Sequence, residues 1–206
     1  MTVENAIVFV VDDDPSVRKS LGRLIRSVGL AVETFATAHE FLEQQCLKGP
    51  SCLILDVKMP GISGLELQEK LLSQEYAMPI VFITGHGDIP MSVKAIKKGA
   101  VNFLSKPFDE KDLLEALYEA LQKDSIARAV REEQEEIHRR LESLTPREYE
   151  ILTHVITGRL NKQIAYSLDI SEKTIKIHRG RVMNKMGVDS VAELVRLTEK
   201  VDIKPA

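Results

Sequence analysis

Three consecutive carboxylates, Asp12, Asp13 and Asp14, follow directly on the apolar run Ala6-Ile7-Val8-Phe9-Val10-Val11. A fourth, Asp56, closes the run Cys52-Leu53-Ile54-Leu55 and leads into Val57-Lys58-Met59-Pro60-Gly61; Thr84 closes Pro79 to Ile83, and Lys106 sits in the turn Ser105-Lys106-Pro107 after a fourth run. Adjacent like charges repel, and taking them out of water is costly unless they share something positive. A hard divalent cation with oxygen ligands meets that need, which suits Mg²⁺, or Mn²⁺ in its place. Beside it, Asp56 can act as a nucleophile, Thr84 can donate its hydroxyl to a phosphoryl oxygen, and Lys106 can supply an opposing point charge. A nucleophilic carboxylate, the acidic pair Asp12 and Asp13, a hydroxyl and an ammonium provide the positioning and charge neutralisation that phosphoryl transfer requires. Taken singly, each residue has a plainer reading: a solvated acidic loop with one helix cap, a strand-end turn former, a solvated lysine. Their joint occurrence at the ends of four strands favours a phospho-acceptor.

The elements that would position these groups are legible as alternating runs. AIVFVV precedes a helix from about Ser16; AVETF one near His39; CLILD one from about Gly64; PIVFIT one near Pro90 to Lys98; and AVNFLS one from about Asp109. Five strands alternating with five helices predict a parallel, doubly wound sheet. Right-handed crossovers gather the carboxyl ends of the strands on one edge, where ligands bind. From Leu121 to Leu144 strong helix formers predict a long helical connector. Its stripe of Leu117, Leu121, Ile126, Val130, Ile137 and Leu141 would either pair with a second copy or stay solvated. Four short helices fit between the punctuation marks of residues 145 to 200.

Two hundred and six residues, 44% hydrophobic and 29% charged, suit a globular chain of two domains. Cys46 and Cys52 lack the spacing of a disulfide framework or a zinc site, and no apolar segment approaches a membrane span, so a cytoplasmic protein with no membrane partner is expected. The net charge of −3 is uneven: residues 158 to 185 hold seven Lys/Arg against two acids. Ser171 is a good N-cap for a helix there. At 100° per residue Ile175, Val182 and Met186 share one face, while Lys173, Lys176, Ile177, Gly180, Arg181 and Asn184 lie opposite. A cationic face with one apolar residue and a glycine suits a DNA major groove; the plainer reading makes Ile177 a stray surface residue and Gly180 a weak point in the helix.

Residues 5 to about 123, with GHGDIPM (Gly85 to Met91) and AIKKGAVNFLSKPF (Ala95 to Phe108), resemble the receiver domain of two-component response regulators of the FixJ type. The resemblance implies a CheY-like fold in which Asp56 takes a phosphoryl group from a sensor histidine kinase. It implies also that Asp12, Asp13, Asp56 and the backbone carbonyl of Lys58 bind Mg²⁺, that Thr84 and Lys106 contact the phosphoryl group, and that Phe103 is an aromatic switch following Thr84. The stretch LTPREYEIL and GRLNKQIAYSLDISEKTIKIHRGRVMNKMGV resembles the LuxR/NarL-type helix-turn-helix domain. By that likeness Lys176, Ile177 and Gly180 face bases, with Lys173 and Arg181 beside them. Asn161, Lys162, Thr174, His178 and Arg179 serve phosphates or the domain's own packing, while Leu160 departs from the small polar residue frequent at its position. The expectation is a receiver at 1–123, a helical linker at 124–141 and a four-helix DNA-binding domain at 142–206. Phosphorylation would control dimerisation and binding to promoter double-stranded DNA, with RNA polymerase a further partner and no external substrate to make the chain an enzyme.

Overall fold

Strands form where apolar residues continue without alternation, because both faces of a parallel sheet are covered. In the computed structural model, which describes residues 6–43, 49–73, 78–85 and 89–204, these are β1 (Ile7–Val11), β2 (Ala31–Phe35), β3 (Ser51–Asp56), β4 (Ile80–Thr84) and β5 (Asn102–Ser105). All pair in parallel in the order β2-β1-β3-β4-β5, and every residue of β3 and β4 is buried. The helices between them are α1 (Pro15–Ser27), α2 (Ala38–Leu42), α3 (Gly64–Ser73) and α4 (Ile89–Lys97). Phe9, Leu53, Leu55, Leu67 and Phe82 form the core on one face of the sheet, and Val8, Val10, Ile25, Ile54, Ile83, Leu113 and Leu117 the core on the other. The strand order reverses at β1, so the crevice at the carboxyl ends of β1 and β3 is the position such sheets reserve for ligands.

The expected fifth helix and connector are one element, α5 (Glu110–Glu142), since no Gly or Pro interrupts these 33 residues. Contacts divide the chain after Arg128. The apolar stripe is therefore not one seam: Leu117 and Leu121 are buried in the sheet-bearing unit, Ile137 and Leu141 in the second, and only Ile126 and Val130 are exposed. In the first unit, buried Asp124 accepts hydrogen bonds from Ser51 N (2.8 Å) and Arg128 Nε (2.6 Å), tying α5 to the start of β3. Burial, with the Asp124 charge nearby, pushes the Cys52 thiol far up and leaves it inert; Cys46 lies outside the described residues.

The second unit holds α6 (Pro146–Val155), α7 (Asn161–Leu168), α8 (Glu172–Met186) and α9 (Val191–Glu199) around Ile151, Leu152, Val155, Ile164, Ile175, Val182, Met186 and Leu194. Thr145 and Glu148 cap α6 reciprocally, with Pro146 at its first turn. The Lys185 ammonium (2.7 Å) and the Thr145 backbone N–H hold Glu148 at a pKa of about 2, against an ordinary 4.5. A depressed carboxylate stabilises the fold fully above its unfolded pKa, and that stability is lost as pH falls through the folded value. Amide exchange in α6 and α8 should therefore report a loss of roughly 2–3 kcal/mol between pH 4.5 and about 2, which Glu148→Gln largely removes. Among the described residues, no helix is long and apolar enough to cross a membrane.

Candidate functional site

β1 and β3 run side by side with Val11 opposite Leu55, so the next residue of β1's chain, Asp12, and the last of β3, Asp56, share the carboxyl edge of the sheet. Both side chains are withdrawn from solvent, at 1% and 5% exposure. Lys106 reaches them from the end of β5: its Nζ lies 2.7 Å from Asp12 Oδ2 and 2.8 Å from Asp56 Oδ1. It is placed by its own backbone, whose N–H donates to the Thr84 carbonyl at 2.7 Å, followed by a cis peptide bond to Pro107. The remaining carboxylate oxygens are also engaged, Asp12 Oδ1 by Asp14 N–H (2.8 Å) and Asp56 Oδ2 by Lys58 N–H (2.7 Å).

Burial raises the Asp12 carboxyl above its ordinary value, outweighing the hydrogen bond from Lys106 that lowers it. For Lys106, burial pulls the ammonium down, but its bonds to Asp12 and Asp56 prevail and hold it above its ordinary value. Two carboxylates sharing one ammonium leave a net negative charge in a buried crevice when both are ionised, a setting that favours a further cation. The donors brought together, the carboxylates of Asp12 and Asp56, are hard oxygens, the ligand type that Mg²⁺ takes.

Asp12, Asp56 and Lys106 converge, and Thr84 is buried at the end of neighbouring β4. Asp13 and Lys58 are exposed, and among the described residues no three His, Cys, Asp or Glu side chains group closely enough to hold a metal. Asp14 accepts from Ser16 N–H and caps α1. Phe103 pairs with Phe82 across β4 and β5, ring centroids 6.1 Å apart, and is half-buried against the core. Residues 86–88 of the GHGDIPM stretch lie outside the described residues.

Two residues were missed in the sequence. Arg18 Nη1 donates to the carbonyls of Asp12 (2.6 Å) and Asp13 (2.9 Å), bracing the acidic loop; its place one turn into α1 after the acids was the available signal. Gly64 opens α3 against β3, the strand that ends in Asp56. A Cβ there would lie 2.2 Å from the Asp56 carbonyl oxygen and 3.1 Å from Leu55 Cγ. Neither is the end of a flexible side chain exposed to solvent, so Gly64→Ala should cost about 3 kcal/mol or more in a urea melt of the sheet-bearing unit. An unchanged midpoint would show that the helix can pivot away.

In the second unit α7 and α8 form a helix-turn-helix around Asp169, which stands in the left-handed region at φ 51°. Ser171 caps α8 by accepting from Thr174 N–H. Ile175, Val182 and Met186 are buried, whereas Lys173, Lys176, Ile177, Gly180 and Arg181 are exposed along one face, joined by exposed Lys162 on α7. The other candidates turn inward to varying degrees. Arg179 Nη1 donates to Asn161 Oδ1 at 3.0 Å, Thr174 Oγ1 pairs with the Ser171 hydroxyl, and half-buried His178 keeps its Nδ1 buried with no hydrogen-bond partner. Leu160 is exposed at the N-cap of α7 and gives no side-chain cap; Gln163 Oε1 accepts its N–H instead.

Comparison with known proteins agrees with both halves of this arrangement. Residues 8–118 match the model of the response regulator receiver domain, and residues 142–198 that of the luxR family of bacterial regulatory proteins. Nodulation protein W of Bradyrhizobium diazoefficiens is 48% identical over 198 residues, 96% of this chain and 87% of that protein. Response regulator protein TmoT of Ectopseudomonas mendocina is 47% identical over 98% of this chain and 91% of its own. The solved structure of the response regulator StyR superimposes with a TM-score of 0.88 at 50% identity, covering 95% of this chain and 99% of that one.

Proposed function

Because the chain belongs to the transcriptional response regulators that carry a LuxR-type DNA-binding domain, we propose that phosphorylation of Asp56 controls its binding to promoter DNA. The observation that carries this reading is the convergence of buried Asp12 and Asp56 on one ammonium at the switch point of the sheet. In the transfer, an Asp56 carboxylate oxygen forms the new P–O bond as the P–N bond of the kinase's phosphohistidine breaks and the imidazole leaves. Lys106 balances the charge on the phosphoryl oxygens, and the Thr84 hydroxyl donates to one of them. Asp12, Asp13, Asp56 and the Lys58 carbonyl would hold Mg²⁺, which supplies neutralisation of carboxylate and phosphoryl charge when bound. Self-dephosphorylation is the one catalytic event in this account, and Phe103 follows Thr84 as the site fills.

The working division is a receiver at 1–123, a helical linker at 124–141 and an output domain at 142–206, acting in the cytoplasm. Lys176, Ile177 and Gly180 meet base edges, with Lys162, Lys173 and Arg181 serving phosphates. Asn161, Thr174, His178 and Arg179 support the fold of the reading head. Phosphorylated receivers pair through the exposed stripe Ile89, Val93 and Ile96 of α4, placing two recognition helices on successive major grooves where RNA polymerase is met. On the output domain, half-buried Val191 and Val195 of α9 extend that pairing, while Leu194 between them is fully buried in the domain's own core. Sedimentation with beryllofluoride and Mg²⁺ tests the pairing: a shift from monomer to dimer is expected, and a monomer both on and off DNA contradicts it.

A further inference from the structure

We propose that Arg140, in the last turn of α5, is a positioning residue that sets the orientation of the recognition helix α8 for sequence-specific binding, an inference that rests on the DNA-binding reading above. Its Nη1 donates at 2.9 Å to the carbonyl of Met186, the final residue of α8. Its Nε is held at 2.9 Å by Glu136 Oε1 one turn earlier on α5, which fixes the direction of the guanidinium. Gly187 then ends α8 in the left-handed region at φ +66°, and a Cβ there would stand 2.9 Å from Arg140 Nη1. The bond is answered in the other direction: Lys185 Nζ, on the last turn of α8, donates to the Ser143 carbonyl just beyond α5 at 2.8 Å and to Glu148 at 2.7 Å.

Each helix thus ends with carbonyls that have no intrahelical partner and a negative dipole end, and each receives a cation from the other. Ile137 and Leu141 of α5 are buried in the same core as Met186, so the two helices are also packed there. Apolar packing of Ile175, Val182 and Met186 is non-directional and resists rotation of α8 weakly; two directional bonds at its end resist it strongly. Side chains stand about 5 Å from a helix axis, so a turn of roughly 10° displaces a base-reading group by about 1 Å, enough to spoil a hydrogen bond to a base edge. Phosphate contacts from flexible lysines tolerate such a shift. The last turns of α5 therefore belong to the reading head, and their effect on binding is one of specificity.

The test uses the full chain with two probes: a duplex selected from random sequence by the wild-type protein, and poly(dI-dC). Affinities are measured across a salt series for wild type, Arg140→Gln, Arg140→Lys and Gly187→Ala, with a thermal melt of each. Arg140→Gln and Gly187→Ala are expected to lose about tenfold on the selected duplex and less than about twofold on poly(dI-dC), with the slope of log affinity against log salt unchanged. Arg140→Lys recovers part of the loss, since lysine can reach one carbonyl but cannot also be held by Glu136 through a second nitrogen. Equal losses on both DNAs would mean general destabilisation, a slope reduced by about one ion would mean a phosphate contact, and no loss would mean no role; each overturns the proposal. A wild-type protein that selects no duplex would instead refute the DNA-binding reading itself.

Discussion

Asp56→Asn is expected to take phosphate incorporation from acetyl phosphate to background, a loss of about 100-fold or more, while the receiver stays folded. The carboxamide is the same size and its oxygen can still accept from Lys58 N–H, as Asp56 Oδ2 does at 2.7 Å. Lys106 keeps its bond to Asp12 Oδ2, so no buried ammonium is stranded, and the substitution removes one negative charge from a crevice where two share one cation. What is lost is nucleophilicity: a neutral amide oxygen does not form a stable acyl phosphate. The check is alkali-labile radiolabel on the protein, read against an unchanged thermal midpoint. Persisting label would move the acceptor to Asp12 or Asp13.

The second large effect is on DNA. Ile177 is 49% exposed on α8, between Lys173, Lys176, Gly180 and Arg181, and makes little contribution to the core formed by Ile175, Val182 and Met186. Ile177→Glu is therefore expected to leave the fold intact and to set a carboxylate on the face proposed to meet base edges and flanking phosphates. Lost apolar contact, an unpaired desolvated charge and repulsion from the backbone together predict a fall of about 100-fold or more in affinity for any duplex, measured by fluorescence anisotropy. A variant that binds as well as wild type would place the DNA on another face of the domain.

Much of this was legible in the residues, for identifiable reasons. Uninterrupted β-branched runs such as Cys52 to Leu55 admit little except a buried parallel strand, and the acids that end them then fall on one edge by topology alone. The amphipathic period of α8 placed Ile175, Val182 and Met186 inside and Lys176, Ile177 and Arg181 outside because helical geometry leaves no other choice. Where reading stopped was at partners that sequence spacing does not encode. Arg18 acts on backbone carbonyls, Gly64 matters through a close approach of α3 to β3, and Asn161 pairs with Arg179 eighteen positions away. The stripe on α5 read as one surface because its spacing is helical throughout, yet its ends are buried in two different cores. The unequal burial of the acidic pair is likewise not encoded in adjacency: successive residues after a strand point apart, so Asp13 is exposed while Asp12 is buried.

The central claim is that charge at Asp56 controls the output domain. Its most direct test is the affinity of the full chain for a wild-type-selected duplex, with and without beryllofluoride and Mg²⁺, for wild type and Asp56→Asn. Wild type is expected to bind about tenfold tighter or more with the mimic, only when Mg²⁺ is present, and Asp56→Asn is expected not to respond. Equal affinity of wild type in the two conditions, with the mimic shown to be bound at Asp56, would contradict it.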